Sequence, residues 1–238
     1  LEFYNDISHI KIIPEAPNLI LAGDIGKPGT QIYKDFIEFV ATKFERVFLI
    51  TGNHEYYGKS NMDEIEDYIR NVICTSYQNV IFLQNECYMI PNTNLALFGG
   101  TMWSHIPYQY FYDVIRFMND YKRIPHLSIS KSNELHKKFV ATLELLLKTL
   151  DDDTKLIVVS HHMPSYDLID EKYKNNYMNI NCAFATNVDI ARNPKIIAWI
   201  YGHTHTASQV DKFYCNPYGY PGENKNIESK VFYASNVP

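Results

Sequence analysis

Arg46-Val47-Phe48-Leu49-Ile50-Thr51-Gly52-Asn53-His54-Glu55 is an apolar run stopped by a glycine and followed by an amide, an imidazole and a carboxylate. The run is short and rich in β-branched and aromatic residues, so it reads as a buried strand. Polar residues at the carboxyl end of such a strand face the crevice where open α/β sheets carry their chemistry. By itself the triplet is equally a turn with a satisfied asparagine. Its meaning depends on what the rest of the chain brings to the same end.

Upstream, Asn18–Ala22 is a second apolar strand, ended by Gly23-Asp24-Ile25-Gly26. Ile32, Phe36, Ile37, Phe39, Val40 and Phe44 fall at helical spacing between the two, which predicts a helix over 29–44 and a βαβ unit. Downstream, Lys155–Ser160 delivers His161-His162-Met163-Pro164, and the strand predicted over 195–201 delivers Gly202-His203-Thr204-His205. Helices are expected over 62–74 and 132–150, the latter with Leu135, Phe139, Leu143, Leu146 and Leu150 on one stripe. Short strands at 80–83, 87–90 and 95–98 are spaced for antiparallel hairpins. Residues 103–125 read as helix and loop bordering a pocket, 166–181 as an irregular excursion and 183–191 as a short helix. Edge strands at 208–215 and 230–234 flank a turn-dense loop at 216–223.

The 238 residues suit one α/β domain spanning 1–238. Net charge is −5 and no like-charge block exceeds Asp151-Asp152-Asp153, which argues against nucleic acid as a partner. Cys74, Cys87, Cys182 and Cys215 have no framework spacing and read as reduced thiols. No apolar run approaches the roughly 18 residues of a membrane helix, so a cytoplasmic protein without membrane contact is expected.

Four strands thus end in Gly-Asp, Gly-Asn-His-Glu, His-His-x-Pro and Gly-His-x-His. The donors are oxygens and imidazoles without thiolate, the set for divalent Mn, Fe or Zn. Each piece has a bland alternative: Asp24 as a turn former, His161 and His162 as a packed pair, His203 and His205 as loop residues. Together, and at one end of one sheet system, they point to a metal centre. His9, His126 and His136 lack such a context and read as surface residues; His105, beside Trp103, is intermediate.

In order and spacing these motifs resemble the calcineurin-like metallophosphoesterases. The resemblance implies a four-layer α/β/β/α sandwich of mixed sheets and hydrolysis of a small phosphomonoester or phosphodiester at two divalent ions. Carried over residue by residue, it makes Asp24 the bridge between the ions. Asn53, His161 and His203 complete the second site, and His205 joins Asp24 at the first. His161, directly after its strand, is taken over His162. His54 lies outside the ions, contacting phosphate or protonating the leaving group. Asn119-Asp120 and the 216–223 loop resemble a branch of small predicted phosphohydrolases, in which arginine is expected at the position of Tyr218. The family's Asp-x-His motif is not matched, because Asp6 and His9 have the wrong spacing. The family often continues that motif into Leu-Glu, and this chain opens with Leu1-Glu2. The expectation is therefore a missing first strand, one ion retained and little turnover. An inactive scaffold that binds protein partners is the alternative reading.

Overall fold

The computed structural model describes residues 1–8, 10–174 and 179–223, so His9 and the strand expected over 230–234 lie outside the described residues. Three parallel strands, β1 (Asn18–Ala22), β2 (Arg46–Ile50) and β3 (Val80–Phe82), form the first sheet in that order. The second sheet runs β4 (Glu86–Met89), β5 (Leu95–Gly100), β6 (Lys155–Ser160), β7 (Ile196–Tyr201), β9 (Phe213–Cys215), β8 (Ser208–Val210). β4–β5 and β8–β9 are antiparallel and the rest of this sheet is parallel. Only one of the hairpins expected among 80–98 forms. β3 instead joins β2 in parallel, because its own apolar residues Val80 and Phe82 complete the helix-facing side of the first sheet.

Period-two alternation builds the layers. Leu21, Val47 and Leu49 face α1 (Gln31–Ala41), whose Tyr33, Phe36, Ile37 and Val40 bury against them. Phe48 and Ile50, one residue out of phase, meet Leu97, Ile157, Val159 and Ala198 of the second sheet. Leu156 and Val158 face outward again onto Phe139, Leu143 and Leu147 of α6 (Ile129–Thr149). Helix, sheet, sheet and helix are the four layers.

α2 (Met62–Tyr68) starts at a capping box of Asn61 and Glu64, and its path continues through a π turn, Ile69–Ile73, into α3 (Cys74–Ser76). α4 (Phe111–Phe117) and α5 (Asp120–Arg123) fill the segment expected to border a pocket, and α7 (Glu171–Lys174) lies in the irregular excursion. Residues 183–191 form no continuous helix; 3-10 turns sit at Asn181–Ala183 and Asp189–Arg192. His136 is buried rather than on the surface: on α6 its Nδ1 donates to the Trp103 carbonyl at 2.6 Å. No helix among the described residues is long and apolar enough to cross a membrane.

Candidate metal centre

The turns after β1 and β2 touch each other. A Cβ at Gly23, where φ is +84°, would lie 2.5 Å from the Gly52 nitrogen, and one at Gly52 would lie 2.2 Å from Asp24 Oδ1. Glycine is what lets both turns close on one point. Glu55 staples them: its carboxylate accepts the backbone N–H of Gly52 at 2.7 Å, Asp24 at 2.9 Å and Ile25 at 2.6 Å. Burial and then the Asp24 charge push the Glu55 carboxyl up, against the pull of His161 and the amides. Asp24 is a non-glycine residue at φ +57°, backbone strain of the kind that collects at functional sites. Its Oδ1 accepts the His54 N–H at 2.9 Å, and its Oδ2 stands 3.2 Å from His161 Nε2.

The second sheet supplies the imidazoles. His161 Nδ1 donates to the Ala22 carbonyl at 2.8 Å, which fixes the ring so that Nε2 faces the site. His161 Nε2 meets Asp24 Oδ2, Asn53 Oδ1 at 3.1 Å and His203 Nδ1 at 3.2 Å. The Asn53 amino group is turned away, donating to Asp120 at 2.7 Å. Four potential ligand atoms converge here, and burial makes such a grouping costly unless positive charge sits inside it, as a proton on His161 Nε2 or as a metal cation. Asp24, His161 and His203 offer ligand atoms within 4.8 Å of one another, so the residues present fit a divalent ion. Burial pushes the Asp24 carboxyl up, but the His161 charge and hydrogen bond outweigh it and hold Asp24 well below the usual carboxylate range. Burial likewise lowers His161, yet Asp24 and the Ala22 carbonyl raise it above an ordinary histidine.

His203 has φ +64°, and its buried Nε2 has no partner among the described residues. His162 stacks on it, ring centroids 4.4 Å apart, and is tied by Nδ1 to Ser104 Oγ at 2.9 Å. Burial, then His203 and His161, push His162 well below the usual histidine range. Of the adjacent pair, His161 enters the donor group and His162 buttresses it.

His54 and His205 stand at the rim. His54 Nδ1 donates to Glu2 at 2.8 Å, with Lys27 and Arg123 at 3.6 and 3.8 Å from the other Glu2 oxygen. His205 pairs with Glu223 at 2.7 Å and meets the Tyr220 ring edge-on at 4.4 Å, outside the donor group. Tyr218, where arginine is expected, faces the Tyr4 ring at 6.2 Å. A cavity of about 1310 Å³ adjoins the site and is lined by Asp24, His54, His161, His203, His205 and Tyr220 among others. Asn119-Asp120 and Leu1-Glu2 stood out only by resemblance, and Glu55 only by its place beside His54; the contacts that Glu2, Glu55 and Asp120 make are seen only in the structure.

Three similarities to known proteins bear on this arrangement. The profile of the family described as calcineurin-like phosphoesterase matches residues 2–207. Uncharacterized protein L509 of Acanthamoeba polyphaga mimivirus is 29% identical over 236 residues, covering 90% of this chain and 82% of that one. Among solved structures, phosphopantetheinyl hydrolase (PptH) from Mycobacterium tuberculosis aligns with a TM-score of 0.68 and 16% identity, over 89% of this chain and 83% of PptH.

Proposed function

The chain belongs to the calcineurin-like phosphoesterase family, and we propose that it hydrolyses a small phosphomonoester or phosphodiester by a metal-dependent route at the ends of β1, β2, β6 and β7. The observation that carries this reading is the convergence of Asp24, Asn53 and His203 on Nε2 of His161 within 3.2 Å. These four would hold one divalent ion of the Mn, Fe or Zn class, and Asp24 with His205 would share a second, more weakly held one. Such ions, when bound, lower the pKa of a water and neutralise phosphoryl oxygens. His54, with Nδ1 committed to Glu2, keeps Nε2 to pass a proton to the departing alkoxide. Lys27 and Arg123 add positive charge beside it for an anionic substrate. The phosphohydrolase among the similar structures supports the phosphoester class and leaves the leaving group open.

One observation favours the inactive scaffold instead: His205 is engaged by Glu223. A panel of phosphomonoesters and phosphodiesters with Mn²⁺ separates the two. Slow turnover is expected, because the second ion is weakly held, and His54→Ala should lower kcat further, by about 10²- to 10⁴-fold, with Mn content retained. Unchanged turnover removes His54 from the chemistry; no turnover by Mn-loaded wild type supports the scaffold.

A further inference from the structure

Asp120 opens α5, far in sequence from every donor, and is 3% exposed. One of its oxygens, Oδ1, accepts two hydrogen bonds, from Asn53 Nδ2 at 2.7 Å and from the Tyr57 hydroxyl at 2.5 Å. A carboxylate accepts and does not donate, whereas an asparagine side chain has an accepting end and a donating end. Asp120 therefore selects which end of Asn53 it meets. The amino group must face Asp120, and the oxygen is left on the side of Asp24, His161 and His203, 3.1 Å from His161 Nε2. The same oxygen fixes Tyr57, whose ring stacks on His54 at 4.4 Å and lies 4.5 Å from the Arg123 guanidinium. One buried carboxylate is thus shared by a metal-facing amide and by the platform beneath the rim histidine.

We propose that Asp120 is a positioning residue that sets the amide orientation of Asn53, so that a divalent ion meets its oxygen and not its NH₂ group; the proposal rests on the metal-site reading of Asn53. Replacing Asp120 by asparagine removes the selection, because an amide at 120 accepts either end of Asn53. A carboxylate at 53 needs no selection, and there Asp120 becomes a like charge beside it. The two substitutions should therefore interact with a change of sign, which a residue that merely supports the fold would not produce.

Mn²⁺ binding to the metal-free full chain, measured by titration calorimetry alongside thermal unfolding, gives the test. Asp120→Asn should weaken Mn²⁺ binding by about 10- to 100-fold, the usual effect of losing a group that orients a ligand. In an Asn53→Asp background the same change should leave binding equal or tighter. If Asp120→Asn alone does not fold, the comparison of Asn53→Asp with the exchanged pair Asn53→Asp/Asp120→Asn still decides, since the exchange keeps the hydrogen bond in reverse. Equal weakening in both backgrounds, no weakening with Asn53 present, or weaker binding by the exchanged pair than by Asn53→Asp overturns the role of Asp120. A wild-type chain that takes up no Mn²⁺ overturns the metal-site reading itself, and this proposal with it.

Discussion

The two sheets bring their donors to the site by different means. On the first sheet, backbone does the work: two glycine turns touch, and one carboxylate, Glu55, gathers the amides of Gly52, Asp24 and Ile25. On the second, rings do it: His161 is anchored to the Ala22 carbonyl, and His203 is stacked on His162, itself tied to Ser104. A backbone staple concentrates its energy in one side chain, while a ring stack spreads it over several. The first sheet's half should therefore be fragile to single substitutions and the second's half tolerant.

The largest effect is expected at the staple. Glu55→Ala leaves the buried Gly52 amide without an acceptor, at about 1–3 kcal/mol, and the part-buried amides of Asp24 and Ile25 as well, and should lower the denaturation midpoint severely. A small shift in urea midpoint would break the contrast. Gly52→Ala comes next. Its Cβ would press on Asp24 Oδ1 and on His161 Cε1 at 2.7 Å, so about 1–3 kcal/mol of stability and much of the Mn²⁺ affinity should be lost together. Retained affinity would show that the two turns can part without harm.

The smallest effect belongs to the second sheet's support. His136 holds the Trp103 carbonyl, and the Trp103 ring lies 5.3 Å from His162. Burial lowers its pKa below the ordinary 6.5, although the Trp103 and Met102 carbonyls oppose this. A depressed folded value gives stability that is complete above about pH 6.5 and is lost as pH falls through the folded value. Between about pH 8 and 5, wild type should lose more stability than His136→Gln, by about 1 kcal/mol or less. Equal losses would show that His136 takes up its proton in the folded chain.

Much of this was legible in the chain. Apolar runs ending in glycine marked β1, β2 and β7, because strand period and glycine turns are local properties, and of the polar residues after them Asp24, Asn53 and His203 come together with His161. His136 was misread since its helical position looks polar and its partner carbonyls lie on another element. Val80–Phe82 was misread since three residues cannot say which neighbour they will pair with. Glu2 and Asp120 stood out in the sequence without a role for the same reason: a carboxylate's role depends on which distant amide, hydroxyl or ring it meets, and no spacing rule records that.

The contact of His161 with Ala22 spans 139 residues and that with Asn53 spans 108. In folding terms, these are among the costliest loops the chain closes, and they close only once both sheets are formed and docked. A partly folded chain holding either sheet alone carries half of the donors. The ion uptake proposed for this site would then be a signature of completed folding rather than a seed for it. During refolding it should appear in step with the slowest structural phase.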